Sequence, residues 1–239
     1  MLRYYCPKCD EYFEGGAEDQ DCPICNEKMR IVPVNAKVGR FATMNGTYDD
    51  PIEQFLEEAR KCSIHLETET EHIAKAIDIL RDARTNKKHV FICGCGGSAG
   101  TATHFAADLF KMGGLRAIAL VDNIPLNSAL INDEGWSDVF VQQLERMYDK
   151  GDIIVAISVH GGKGQDKAGA WSQNLLKAID YVNKHGGKSI GLSGFDGGAM
   201  KTLCTTCIVV PADSTPIVES FHVVLHHLIT WQLYEGDRK

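Results

Sequence analysis

The feature that most constrains the fold of this chain is a segment near its middle, Val90–His104, which predicts a buried strand, a glycine turn and the start of a helix. Val90–Cys93 is a short apolar, β-rich run of the kind that a parallel sheet buries on both faces. Gly96 and Gly97 then allow a tight turn whose backbone N–H groups can approach an anion. Ser98 is expected to cap the following helix, whose N-terminus attracts negative charge. The segment therefore predicts a binding site for a phosphorylated small molecule.

From Lys88 onward, predicted strands alternate with predicted helices, which is typical of an α/β protein with a doubly wound parallel sheet of five strands. In such a sheet, ligands bind at the carboxyl ends of the strands. Ahead of the first strand, residues 51–84 predict one long or two shorter amphipathic helices. The strands are expected at Val90–Cys93, Ala117–Val121, Ile153–Ser158, Ser189–Ser193 and Ile208–Val210, and the helices at Ala102–Met112, Trp136–Tyr148, Ser172–His185 and Ile217–Tyr234.

The N-terminal part of the chain differs from the rest because it holds two CxxC pairs, Cys6 with Cys9 and Cys22 with Cys25. Four thiolates complete a tetrahedral shell for Zn²⁺, and a module with so few apolar residues needs the metal in order to fold. Rubredoxin-like iron in the same shell and a redox dithiol are the alternatives. The expected organisation is a structural zinc ribbon over residues 1–35, a linker over 36–50 and the larger domain over 51–239.

The composition narrows the possible partners. The formal net charge is −7 and the basic residues are scattered, so a nucleic-acid partner is not expected. No apolar run approaches the roughly 20 residues that span a bilayer, and no signal-peptide pattern precedes Cys6. The nine cysteines are odd in number and partly in CxxC pairs, which suits a reducing compartment. The expected location is the cytoplasm, without membrane attachment.

Two predicted helices carry residues that suit a metal. His104 and Asp108 lie four apart, so they share one face of the helix after the glycine turn. Glu219 and His227 are eight apart on the last helix, roughly 80° round its axis. If the two helices face each other, they form a site of two imidazoles and two carboxylates, which suits Zn²⁺, Mn²⁺, Fe²⁺ or Ni²⁺ with open positions for a substrate. The histidines of the last helix are His222, His226 and His227.

Several spaced motifs together resemble the sugar isomerase (SIS) domains, and most closely the bacterial phosphoheptose isomerases. The resemblance covers about residues 50–235 and leaves out the cysteine module. It implies a flavodoxin-like SIS fold, a homotetramer, and the conversion of sedoheptulose 7-phosphate to a heptose 7-phosphate through an enediol. The matching motifs are Cys93–Ala99, His104–Asp108, Asn132–Trp136, Ser193–Gly198, and Thr215–Pro216 followed by Glu219, His222 and His227.

By position, the resemblance implies a second divalent ion, expected to be zinc, held by His104, Asp108, Glu219 and His227. The family has Glu and Gln where this chain has Asp108 and Glu219, so the shell gains a negative charge and one shorter arm. Asp108 is the expected base and His227 the expected acid, with Glu219 as the rival base. Substrate and phosphate contacts are expected from Gly96, Gly97, Ser98, Asp122, Asn132, Asp133, Ser158, His160, Ser172, Asp196 and Thr215.

Three departures from the family concern the phosphate site. Cys95 stands where the family has asparagine, and His160 stands where it has a serine. An insertion over roughly Gly162–Ala170 separates Ser158 from Ser172, and its lysines, Lys163 and Lys167, are candidates to supply positive charge. These departures bear on which sugar phosphate the chain uses more than on the fold.

Two other function classes fit parts of the sequence. The glycine turn also resembles a dinucleotide loop, with Asp122 as the acidic residue for a ribose, and this would indicate a nicotinamide oxidoreductase. A non-catalytic sugar-phosphate regulator or scaffold is the main alternative, with the zinc ribbon as a docking module. A third CxxC, Cys204 to Cys207, is interpreted as a pair of small apolar residues because it leads into a predicted buried strand.

Overall fold

The computed structural model describes residues 2–6, 11–15, 21, 25, 28, 30–32, 50–162 and 172–236. It divides the chain into two compact units, Met1–Leu56 and Glu57–Lys239. Of the four cysteines expected to hold zinc, Cys9 and Cys22 lie outside the described residues. The expected linker, apart from its last residue, and the inserted lysines Lys163 and Lys167 also lie outside them.

The first unit contains a small antiparallel sheet of three strands in the order β2-β1-β3. An isolated antiparallel bridge joins Asp21 to Lys28, whose side chains form an ion pair of 2.8 Å. Cys6 is the last residue of β1, and Cys25 is partly buried. The strands are β1 (Leu2–Cys6), β2 (Glu11–Gly15) and β3 (Arg30–Val32).

The predicted N-terminal helical region forms two helices rather than one, α1 (Pro51–His65) and α2 (Thr70–Thr85), joined by the 3-10 turn Leu66–Glu69. Asp50 precedes α1, and its side chain accepts a hydrogen bond of 2.8 Å from the backbone N–H of Ile52. This contact satisfies one of the N–H groups that a helix start leaves unpaired.

The second unit is built on a five-stranded parallel sheet with the order β5-β4-β6-β7-β8, which confirms the predicted sheet. Each face of this sheet is covered by its own apolar cluster, with α2, α3 and α8 on one face and α5 and α6 on the other. The strands are β4 (His89–Gly94), β5 (Arg116–Ala119), β6 (Ile153–Ile157), β7 (Lys188–Gly194) and β8 (Thr206–Val210); the helices are α3 (Gly97–Lys111), α4 (Ile124–Asp133), α5 (Val141–Met147), α6 (Gln173–Lys184), α7 (Met200–Leu203) and α8 (Thr215–Glu235).

The order of the strands in the sheet shows where a ligand-binding crevice is expected. After β4 the chain crosses to β5 on one side, and after β6 it crosses to β7 on the other. The crevice at the carboxyl ends of β4 and β6 is therefore the point where ligands bind in sheets of this type. The glycine turn after β4 and the loop Ser158–Gly162 after β6 both border it.

Three local predictions were wrong. Ser98 does not cap α3: Gly96 is the N-cap, with φ of 57° and no capping side chain, and Ser98 lies in the first turn. The helix expected at Trp136–Tyr148 is shorter, because α5 begins only at Val141. No helix was expected between the strand Ala117–Val121 and Trp136, but α4 lies there, and Asn123 before it accepts a hydrogen bond of 3.1 Å from the Leu126 N–H. No helix among the described residues is both long and apolar enough to cross a bilayer.

Candidate active site

Helices α3 and α8 bring the predicted metal residues together. They pack side by side and run in the same direction, since Gly97 at the start of α3 lies beside Glu219 while His104 lies beside His226. This register places the middle of each helix against the middle of the other. The cluster of ionisable side chains therefore forms about two turns along α3 from the glycine turn.

The cluster is centred on one carboxylate oxygen, Oδ2 of Asp108. His104 Nε2 lies 3.5 Å from it, His227 Nδ1 3.3 Å and His226 Nδ1 3.7 Å. The imidazoles also contact one another, with ring centroids 4.6 Å apart for His104 and His226 and 4.1 Å apart for His226 and His227. One ligand atom from each of the three histidines lies within 4.8 Å of the others.

The cluster is open on one side and closed on the other. The His104 and His227 side chains are 51% and 53% exposed, whereas that of His226 is fully buried. A groove of about 410 Å³ begins beside Asp108 and His227 and continues along α8 to Trp231. A small molecule can therefore reach the exposed imidazoles and the carboxylate from solvent.

Burial affects the protonation of one member of this cluster, His226. Burial, together with the neighbouring His227 and His104, lowers the pKa of His226 to about 4, while Asp108 acts in the opposite sense. The His226 ring is thus neutral near pH 7 and offers nitrogen lone pairs. Imidazole nitrogens and a carboxyl oxygen are the donor set that zinc and similar divalent ions prefer, so the residues present fit the metal that the family implies.

Glu219 does not lie in this cluster within the protomer. A Cβ added to Gly97 would sit 2.6 Å from Oε1 of Glu219 and 3.0 Å from Oε2, so the carboxylate lies against the glycine turn. Gly97 precedes His104 by seven residues, or about 10 Å along a helix. The structure therefore joins three of the four expected ligands, His104, Asp108 and His227, and adds His226.

The expected phosphate serines meet on the other side of the crevice. Ser158 Oγ and Ser172 Oγ lie 3.4 Å apart, and Ser172 has a left-handed backbone with φ of 62° at the start of α6. Cys95 contacts Asn174, whose Nδ2 lies 3.4 Å from its Sγ. A left-handed conformation costs a serine roughly 1 kcal/mol, and such strain concentrates at binding sites.

His160 lies at the same rim, where its ring packs against Phe195 with the centroids 4.3 Å apart. Phe195 is also left-handed, with φ of 54°. Next to it, Asp196 Oδ1 accepts a hydrogen bond of 3.2 Å from the Gly198 N–H. Thr215 is the first residue of α8.

The remaining expected substrate contacts lie on α4 and just before it. Asp122 accepts a hydrogen bond of 2.7 Å from the Thr103 hydroxyl, which ties the end of β5 to α3. Asn132 and Asp133 are in the last turn of α4 rather than before a helix, and they bond to each other at 2.8 Å.

Comparison with known proteins identifies the fold. The SIS domain model matches residues 54–194. This chain belongs to the SIS domain family. Among curated relatives, the phosphoheptose isomerase of a Nitratiruptor species is 39% identical over 163 residues, covering 66% of this chain and 82% of the relative. A phosphoheptose isomerase of Helicobacter pylori is 34% identical over 187 residues, covering 76% of this chain and 93% of the relative.

A solved structure of a phosphoheptose isomerase is also similar to this chain. The phosphoheptose isomerase of Francisella tularensis superposes with a TM-score of 0.69 at 25% identity, covering 77% of this chain and 96% of that one. The expected membership of the SIS family is confirmed, and so is the expected class of enzyme, a phosphosugar isomerase.

Proposed function

We propose that this SIS protein is a metal-dependent aldose–ketose isomerase that converts sedoheptulose 7-phosphate to a heptose 7-phosphate. The proposed substrate follows the names of the curated relatives, of which this chain covers 82% and 93%. The observation that carries the proposed chemistry is the meeting of His104, Asp108 and His227 between α3 and α8. A regulator that only binds a sugar phosphate has no need for this open cluster.

His104, Asp108 and His227 would hold a divalent ion, for which we propose zinc. Such an ion acts as a Lewis acid toward a carbonyl oxygen. Two buried ring nitrogens of His226 have no hydrogen-bond partner among the described residues, which supports an occupant at this point. The Glu219 carboxylate, which was expected to add a negative charge to the metal shell, lies against the glycine turn instead.

Asp108 is proposed as the base that moves the proton between adjacent carbons, and His227 as the acid toward the carbonyl oxygen. The Asp108 side chain is 18% exposed and lies 3.3 Å from His227, so base and acid can contact the same substrate at the groove. The rival base, Glu219, is about two helical turns away beside Gly97. This separation favours Asp108 within the protomer.

The phosphate is proposed to bind Ser158 and Ser172 rather than Gly97. The serine hydroxyls lie 3.4 Å apart and can both donate to one anion. At Gly97 the Glu219 carboxylate already occupies the space above the backbone, and its negative charge opposes a phosphate dianion. The rings of His160 and Phe195 lie on the same rim and are proposed to limit the length of the sugar chain.

We also propose that Cys6, Cys9, Cys22 and Cys25 hold a structural zinc ion. The support is the pair of CxxC motifs in a stretch with few apolar residues, and the small three-stranded sheet described in this part of the chain. A second support is its short strands, of five, five and three residues.

A homotetramer in the cytoplasm is proposed as well. Around the edge strand β5, Phe110, Ile118 and Ile124 are 69%, 36% and 75% exposed, and apolar surface of this kind is usually covered by another chain. Cys62, Cys93 and Cys207 are buried free thiols, which suits a reducing compartment.

The test is an isomerisation assay of the full-length protein on a panel of pentose, hexose and heptose phosphates. We expect turnover of sedoheptulose 7-phosphate and a loss of about 10²–10⁴-fold in kcat for Asp108→Asn and for His227→Asn. Asp180→Asn is the matched control, because Asp180 forms an exposed helical ion pair of 2.7 Å with Lys184. Near-wild-type kcat in Asp108→Asn would refute the assignment of the base, and no turnover on any sugar would refute the isomerase.

A further inference from the structure

The imidazole of His226 is buried without hydrogen bonds. His226 is 0% exposed, and neither of its ring nitrogens has a hydrogen-bond partner among the described residues. A buried polar atom without a partner is destabilising, because the hydrogen bonds it made to water are not replaced. A fold that keeps such a group at a site is expected to use it there.

The distances around Asp108 match the spacing of ligands on one ion. The three imidazole nitrogens lie 3.3, 3.5 and 3.7 Å from Oδ2, which is longer than a good N–H···O hydrogen bond. Ligand atoms about 2.0–2.1 Å from a tetrahedral Zn²⁺ are about 3.4 Å from each other. His226 Nδ1 lies slightly farther from Oδ2 than the nitrogens of His104 and His227, and the three imidazoles each offer one ligand atom within 4.8 Å of the others.

We propose that His226 is a ligand of the active-site metal and takes the place that Glu219 has by resemblance to the family. The inference rests on the proposed function, because it requires a metal in the cluster. The protein ligands are then the imidazoles of His104, His226 and His227, with the Asp108 carboxylate beside them. Compared with a shell that contains Glu219, this one carries one negative charge less, so the bound ion polarises a carbonyl oxygen more strongly.

His222 provides a matched control on the same helix. It is also fully buried, one turn before His226, and its Nδ1 also lacks a hydrogen-bond partner among the described residues. Its Nε2, however, donates to the Ser193 carbonyl oxygen at 3.2 Å, and it does not belong to the histidine cluster. A substitution of His222 therefore reproduces the loss of a buried imidazole without touching the proposed ligand set.

The test compares zinc affinity in the full-length wild type, His226→Asn, His222→Asn and Glu219→Gln. Each protein is stripped with a chelator and titrated with Zn²⁺ against a chromophoric competitor, and with Co²⁺, whose visible absorption reports the nitrogen and oxygen ligands. For His226→Asn we expect affinity at this site to fall by more than about 100-fold, beyond the loss of an outer partner. His222→Asn and Glu219→Gln should stay within a few-fold of the wild type.

The outcomes separate this inference from the proposed function. Wild-type zinc affinity and an unchanged Co²⁺ spectrum in His226→Asn overturn the role of His226, and so does a loss confined to Glu219→Gln. If His104→Ala binds as many metal equivalents as the wild type, the proposed metal centre itself is overturned. Thermal unfolding without metal checks the fold. If His226→Asn melts at a lower temperature than the wild type without metal, His226→Leu is used instead. Added zinc should then raise the melting temperature of the wild type but not that of His226→Leu.

Discussion

Two glycines at the turn between β4 and α3 are expected to respond in opposite ways to the same substitution. A Cβ added to Gly94 would lie 2.4 Å from the carbonyl oxygen of Ser98 and 2.6 Å from its carbonyl carbon. Both atoms belong to the backbone of the first turn of α3, so neither can rotate away. Relief requires the start of the helix to move by about 1 Å, a form of overpacking that typically costs ~1–3 kcal/mol.

At Gly97 the atoms nearest to an added Cβ belong to a side chain and not to the backbone. The added Cβ would meet Oε1 of Glu219 at 2.6 Å and its Cδ at 2.9 Å, and these form the end of a flexible side chain that can rotate. Replacing glycine by alanine in a helix also recovers roughly 0.5–1 kcal/mol of chain entropy. Gly97→Ala should therefore leave the free energy of unfolding unchanged or slightly raised.

The assay is thermal unfolding of the two variants and the wild type, followed by circular dichroism in metal-free buffer. At ~2–4 °C per kcal/mol for a chain of this size, Gly94→Ala should melt about 3–10 °C below the wild type. Gly97→Ala should melt within about 2 °C of it or above it. A Gly97→Ala variant that melts as low as Gly94→Ala would refute the argument, as would a neutral Gly94→Ala.

Three further predictions concern stability and the phosphate site. Burial lowers the pKa of His222 and of His226 to about 4, so each binds a proton in the unfolded state as the pH falls below 6.5. Without metal, the free energy of unfolding in urea should drop by about 4 kcal/mol from pH 7 to pH 5 in the wild type and by about 2 kcal/mol in His222→Asn. Asp152→Ala should lower the free energy of unfolding in urea at pH 7 by about 2–4 kcal/mol, because the buried Asp152 carboxylate accepts hydrogen bonds from the backbone N–H groups of His89 at 2.8 Å and Asp149 at 2.9 Å. A decrease below about 0.5 kcal/mol would contradict this. Ser172→Gly should raise the melting temperature by a few degrees, because the φ of Ser172 is 62° and glycine adopts this conformation without strain. The same variant should raise KM about 10–100-fold, because a hydroxyl that contacts the phosphate is lost. An unchanged KM would show that Ser172 does not belong to the phosphate site.

Much of the fold follows from the sequence because its periodic signals are local. The run Val90–Cys93 and the later apolar runs each predict a buried strand without knowledge of the others, and the parallel sheet follows from their alternation with helices. Helix α4 was missed although its signals were present, since Asn123 caps it and Pro125 stands in its first turn. No helix was expected there because these residues directly follow a predicted strand, at the rim of the sheet.

The site was harder to predict because it depends on how two helices are aligned. Sequence spacing shows that His104 and Asp108 share a face, but not which residue of α8 lies opposite them. The structure aligns His104 with His226, and Glu219 with the glycine turn instead. This register comes from the packing of the apolar faces of α3 and α8, which no local pattern specifies.

The central claim is that a metal at the cluster of α3 and α8 is required for isomerisation, and its most direct test is turnover of sedoheptulose 7-phosphate by the wild type. Activity is measured before chelator treatment, after it, and after zinc is added back, with His104→Ala in parallel. We expect chelation to abolish turnover, zinc to restore it in the wild type, and no restoration in the variant. Full turnover by the stripped wild type, with the metal content measured as zero, would contradict the claim.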